Sequence, residues 1–115
     1  MAKVRDVNPV AEVVVDGNDV HVTVVGEIDA SSAVPLQRRL DEVIESTTGA
    51  VVVDMSGVSF IDSMGIRVVV GLHRCLSAQR RSLTLRDVSA STRRMFDLTG
   101  LGPVLGVQGD DPGRA

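Results

Sequence analysis

A chain of 115 residues suits one domain built around one modest core. With no Trp or Tyr, and Phe60 and Phe96 as its two aromatics, it has almost nothing to stack on nucleic-acid bases, and its net charge of −3 disfavours a phosphate-backbone binder. The charge is uneven: ten acidic residues against four basic ones up to Gly57, then five against eight, an asymmetry that can orient a charged partner or simply solvate two helix faces.

Residues 1–9 are polar, lack the apolar stretch of a signal peptide, and are expected to form a flexible lead-in. Residues 10–15 are a short apolar run. Asp16-Gly17-Asn18-Asp19 is a turn signal, and residues 20–25 alternate Val with His21 and Thr23, so a hairpin is predicted. Gly26-Glu27-Ile28-Asp29 is expected to leave that strand as a loop. Ser31 or Ser32 can cap the helix that follows, in which Pro35 is tolerable only within the first turn. Ala33, Leu36, Leu40, Val43 and Ile44 recur at helical spacing, and Thr47-Thr48-Gly49 stops the helix.

Residues 50–54 form a continuous apolar strand, a pattern that suggests cover on both faces. Residues 56–61 are expected to link it to a second helix, capped by Asp62 or Ser63. Ile66, Val69, Val70, His73 and Leu76 would mark its buried face, and Arg80-Arg81 its carboxyl end. Cys75, the single cysteine, falls inside that pattern; it can form no internal disulfide and is expected to be buried and inert. Residues 83–86 read as a strand. A short third helix capped by Ser89 or Ser91 would carry Met95, Phe96 and Leu98. Residues 104–107 are a candidate edge strand, and residues 108–115 a flexible tail. No apolar run nears the ~20 residues of a membrane span, so a reduced cytoplasmic setting is expected. Strands alternating with helices imply an α/β fold with a largely parallel sheet, to which the hairpin adds antiparallel pairing.

Asp62-Ser63-Met64-Gly65 sits where a buried strand turns into a helix. Such turns lie at the carboxyl ends of strands, where α/β proteins bind ligands and partners. A helix start favours an anion, so a phosphate on Ser63 could be held there without unfolding. An ordinary Asp or Ser cap explains the same residues. Gly65 is expected to leave the surface open to a close partner. Asp29, in the other strand-to-helix loop, could meet an arginine or serve as a cap. Catalysis finds no support. His73 lies about 15 Å from Ser63 by helical rise, too far for a triad. There is no nucleophile elbow, no phosphate loop and no metal-ligand spacing, so neither a metal nor a cofactor is expected.

Four stretches carry a resemblance: Gly26-Glu27-Ile28-Asp29; Val52-Val53-Asp54-Met55-Ser56-Gly57-Val58; Phe60-Ile61-Asp62-Ser63-Met64-Gly65-Ile66; and Arg94-Met95-Phe96-Asp97-Leu98-Thr99-Gly100-Leu101. At these spacings the chain resembles the STAS family, specifically its small bacterial anti-sigma factor antagonists, over residues 10–107. The resemblance implies a four- to five-stranded mixed sheet in a single domain with helices mainly on one face. It also implies a switch. The unphosphorylated antagonist binds an anti-sigma factor that is a serine/threonine kinase, releasing a sigma factor. Phosphorylation by that kinase ends binding, and a metal-dependent serine phosphatase restores it. By position, Ser63 is the implied acceptor and Asp62 fixes its loop. Asp29 and Ser31, with Met64, Gly65 and Arg67, would line the docking surface of a monomer or weak dimer that binds neither nucleic acid nor membrane. Two departures stand out: Met64 occupies a place where relatives often carry a hydroxyl, and residues 108–115 look unable to form the closing helix common in the family. The competing reading keeps the fold and makes Ser63 a structural cap in a scaffold or transporter-associated subunit.

Overall fold

A computed structural model of the chain describes the backbone of residues 3–7 and residues 11–98 in full. Their elements run β1 (Lys3–Val7), β2 (Ala11–Asp16), β3 (Asp19–Ile28), α1 (Ala30–Glu45), β4 (Val51–Ile61), α2 (Ser63–Ala78), β5 (Leu83–Arg86) and α3 (Ala90–Leu98). The strands form one five-stranded sheet in sequence order. β1 pairs β2 and β2 pairs β3 antiparallel, while β3, β4 and β5 are parallel neighbours. The fold is the mixed α/β sheet expected from the sequence.

The β2–β3 hairpin closes with Asp16 opposite Asp19. Gly17 takes φ 66°, a conformation glycine adopts without a Cβ penalty and which fits the twist of a two-residue hairpin. Alternation then sets the core. Ala11 and Val13, Val20, Val22 and Val24, Val51, Val53 and Met55, and Leu85 are buried, as one face of the sheet. The helices cover that face with Leu36, Leu40, Ile66, Leu72, Leu76 and Phe96. On the other face Val14, Val52 and Asp54 are half-buried and His21 is exposed. The expected cover on both faces of the strand at residues 50–54 is therefore corrected. Its unbroken valines fill alternate positions on two faces, and among the described residues only one face carries helices.

Residues 3–7, read from sequence as part of a loose lead-in, pair as the edge strand β1. The main-chain ladder needs no apolar alternation, and interleaved charges are common on edge strands. The two segments read as loops are also strand. Gly26 to Ile28 and Ser56 to Ile61 continue β3 and β4, pairing Gly26 with Val58, Glu27 with Phe60 and Ile28 with Ile61. Register shifts near Thr23/Val25 and Gly26/Glu27 absorb the irregularity. Gly26 sits at φ 88°, and a Cβ on Gly57 would stand 2.7 Å from Val25 Cγ1. The glycines mark bulges in the ladder, not its end. The candidate strand at residues 104–107 and the tail at residues 108–115 lie outside the described residues.

α1 buries Ala33, Leu36, Leu40, Val43 and Ile44, the predicted stripe. Its cap is Asp29, so Pro35 is the sixth helical residue and stands beyond the first turn. α2 buries Gly65, Ile66, Val68, Val69, Leu72 and Leu76. The predicted face included Val70 and His73, which are half-buried, and missed Val68 and Leu72. Cys75 is half-buried, not buried, and its sulfur accepts from Gln79 Nε2 at 3.4 Å. α3 is capped by Ser89, whose Oγ accepts from the Thr92 amide, and it buries Phe96 completely.

α2 ends in a reversal. Arg80, at φ 58°, donates its N–H to Ser77, and Arg81 donates to Leu76. The turn sends the half-buried Arg81 side chain back to the carboxyl end of α1. There Nη1 donates to the Ile44 carbonyl at 3.0 Å and Nη2 to Thr47 Oγ1 at 2.8 Å, while Nε donates to the Gly49 carbonyl at 2.8 Å. The cation thus serves the dipole of α1 more than that of its own helix. Arg81→Met keeps the stem and removes these bonds. It is expected to cost ~1–2 kcal/mol, seen as a lower urea midpoint at unchanged slope. A midpoint equal to the native one would show that the clamp contributes nothing.

Candidate functional site at two adjacent helix starts

β3 and β4 end side by side, with Ile28 opposite Ile61. The next residue in each case is an aspartate in extended conformation, Asp29 at φ −133° and Asp62 at φ −110°. Each caps the helix that follows. The Asp62 amide donates to the Ile28 carbonyl at 3.1 Å, tying the two helix starts together at the carboxyl edge of the parallel strands.

At the first start, Asp29 Oδ1 accepts from the Ser31 hydroxyl at 2.7 Å, the Ser31 amide at 3.0 Å and the Ser32 amide at 3.3 Å. Ser32 Oγ accepts from the Asp29 amide at 3.0 Å and donates to the Glu27 carbonyl at 2.8 Å. This closes a capping box with serine in place of the usual Glu or Gln. Neither Ser31 nor Ser32 is the cap. The Ser31 hydroxyl above all, then its amide and the Ser32 donors, hold the Asp29 carboxyl below the ordinary carboxylate range against the opposing effect of burial. Ser31 remains exposed, with its hydroxyl turned onto Asp29.

At the second start, Asp62 Oδ1 accepts from the Met64 amide at 2.9 Å and the Gly65 amide at 3.2 Å, and the Asp62 carbonyl accepts from Ile66. Asp62 is therefore the cap, and Ser63 is the first helical residue. Ser63 is exposed, and its hydroxyl has no hydrogen-bond partner among the described residues. Met64 is half-buried against the core, and Arg67 is exposed one turn on.

Gly65 plays a different part from the expected one. It is buried, and a Cβ there would lie 2.5 Å from Ile61 Cγ1, 2.8 Å from Ile28 Cγ2 and 2.9 Å from the Ile28 carbonyl oxygen. It lets the first turn of α2 sit down on the strand ends and leaves no gap for a partner. The structure thus brings Asp29, Ser31, Asp62, Ser63, Met64 and Arg67 to one edge of the sheet and turns Gly65 inward.

Two neighbours of the site were not singled out from sequence. Phe60 is 52 % exposed and lines a cleft of about 160 Å³ with Ile61, Ser91, Thr92 and Met95. Val34, on α1, is 55 % exposed. Strict alternation from Val58 would turn Phe60 inward; the register shift between Gly26/Val58 and Glu27/Phe60 turns Ile61 inward in its place, so the segment itself held no signal that Phe60 lies outside. Among the described residues no group of three His, Cys, Asp or Glu could hold a metal ion, and no helix is long and apolar enough to cross a membrane.

A family model for the STAS domain matches residues 10–110. The anti-sigma-B factor antagonist of Bacillus subtilis is 33% identical over 96 residues, covering 84% of this chain and 87% of its own. That of Listeria monocytogenes is 33% identical over 94 residues, covering 81% and 82%. Among solved structures, the anti-sigma factor antagonist SpoIIAA in its unphosphorylated form superposes with a TM-score of 0.73 at 23% identity, covering 98% of this chain and 91% of that one. The fold is thus shared with a known antagonist.

Proposed function

The chain belongs to the STAS domain family, and from that membership we propose that it is an anti-sigma factor antagonist switched by phosphorylation of Ser63. The relatives that cover most of its length carry the name of that role. The observation that carries the switch is local. Asp62 performs the capping work at the start of α2, so the Ser63 hydroxyl stands exposed with no structural duty among the described residues.

In the unphosphorylated state the edge formed by Asp29, Ser31, Ser63, Met64 and Arg67 docks an anti-sigma factor that is a serine/threonine kinase, and a sigma factor is released. The kinase then transfers phosphate. Ser63 Oγ forms a bond to the γ-phosphorus of ATP, the bond to the ADP oxygen breaks, and the hydroxyl proton passes to a base on the kinase. A metal-dependent serine phosphatase resets the switch by hydrolysing the ester, water supplying the oxygen that leaves with phosphate. A docking surface that buries Ser63 must desolvate any phosphate there, and an unpaired buried charge costs several kcal/mol.

Incubation of the chain with its anti-sigma kinase and ATP, followed by mass-spectrometric mapping, is expected to place one phosphate on Ser63 and none on the Ser63→Ala variant. Equal modification of both would sink the proposal. Recovery of membrane transport components in place of a kinase, with Ser63 unmodified, would instead favour a scaffold in which the residue serves the helix start alone.

A further inference from the structure

α2 contains no Asp or Glu from Ser63 to Ala78, although it carries Arg67 and Arg74. The helical neighbours of Arg67 are Ser63 and Met64 one turn before it and Val70 and Gly71 one turn after. None is an anion, and among the described residues the exposed Arg67 has no ion-pair or hydrogen-bond partner. Ser63 is thus the one hydroxyl in that set, four residues toward the amino end.

The start of α2 cannot take a phosphate as a bare helix end would. The Met64 and Gly65 amides already donate to Asp62 Oδ1, and the Ile66 amide donates to the Asp62 carbonyl. A phosphate on Ser63 therefore finds the three amides that follow it occupied and a carboxylate beside it. Across the edge, the Asp29 carboxylate is turned onto Ser31 and Ser32. The repulsion points the phosphate along the exposed face of α2, toward Arg67. An anion four residues before a cation is the favourable order on a helix, and a guanidinium can grip phosphate through two parallel N–H bonds.

From this we infer that Arg67 is the positioning residue for phosphoserine at position 63: its guanidinium pairs with the phosphate and holds it on the outer face of α2. The inference rests on Ser63 being the acceptor. It adds that one modification changes two features of the docking edge, placing a dianion where a hydroxyl stood and withdrawing the positive charge of Arg67 from the partner.

The test uses the full chain with phosphoserine installed at position 63 by genetic encoding, so that no kinase is needed. The second ionisation of the phosphate is followed by phosphorus NMR across pH. At about 0.1 M salt the native chain is expected to titrate ~0.15–0.4 unit below Arg67→Gln, with the gap closing near about 1 M salt. Arg74→Gln removes the same charge at a place about 16 Å along the helix from Ser63 and is expected to titrate with the native chain. Arg67→Lys keeps the charge and loses the fork, so its titration falls between the two. Coincident titration of native and Arg67→Gln chains, or an equal rise in Arg74→Gln, would overturn the pairing. Failure of a kinase to modify Ser63 would overturn the switch and leave this titration untouched, so the two ideas fail separately.

Discussion

Ser63→Asp is expected to bind the anti-sigma partner at least about a hundredfold more weakly than the native chain, because desolvating a charge in a docked surface costs several kcal/mol and each 1.4 kcal/mol is tenfold in affinity. Phosphoserine at the same position, with about twice the charge, is expected to lower it further. Stability should move the other way. Ser63 is the first residue of α2, it is exposed, and its hydroxyl holds no partner among the described residues. An acidic side chain there meets the positive end of the helix dipole, which is worth ~0.3–1 kcal/mol at an exposed site. Binding calorimetry and urea unfolding on the same sample therefore separate two roles. A switch residue loses affinity while the unfolding midpoint holds or rises. A structural cap would lose midpoint. Ser63→Ala supplies the control, with near-native affinity and no phosphate uptake. Native affinity in Ser63→Asp would refute the electrostatic switch.

The parts of the molecule legible in its sequence are those where one local signal acts alone. From Leu36 on, the stripe Ala33, Leu36, Leu40, Val43 and Ile44 is set off by Arg38, Arg39, Asp41, Glu42 and Glu45, so its period admits one solution. α2 carries Val68, Val69 and Val70 in succession, and three adjacent valines fit more than one face. Packing chose Val68 and Leu72 over Val70 and His73, which sequence period could not decide. Strand ends were harder. Gly26 and Gly57 look like punctuation, yet the β3–β4 ladder runs through both by shifting register, a choice made by the partner strand and invisible in either segment.

At the site, the residues were legible and their duties were not. Asp29 and Ser31 are both good caps, as are Asp62 and Ser63. The structure gives both caps to aspartate, and this has one consequence for function. In α1 the freed Ser31 hydroxyl is spent on Asp29 at 2.7 Å, whereas in α2 the freed Ser63 hydroxyl has no such partner. Two similar sequence motifs on neighbouring strands thus yield one locked serine and one open serine. The distinction explains why the second helix start, and not the first, is the candidate for modification.

Gly65 carries the second large effect. Gly65→Ala is expected to cost ~2–3 kcal/mol, because its Cβ would fall within 2.9 Å of the Ile28 carbonyl oxygen and closer still to Ile28 Cγ2 and Ile61 Cγ1. A side-chain end could swing away, but a carbonyl in a parallel ladder cannot move alone. The same Ile28 carbonyl accepts from the Asp62 amide, so the shift would pull the two helix starts apart. Urea unfolding should show the lost stability, and hydrogen exchange at the Asp62 amide should accelerate more than the global loss requires. Gly71 gives the contrast within the same helix. A Cβ there meets Gln37 at 3.7 Å, an ordinary contact. Gly71→Ala is therefore expected to stabilise by ~0.5–1 kcal/mol through helix propensity alone. If both substitutions stabilise, the close seating of α2 on β3 and β4 is wrong. If Gly65→Ala alone destabilises and also slackens the Asp62 amide, the glycine is what sets the height of Ser63 above the sheet.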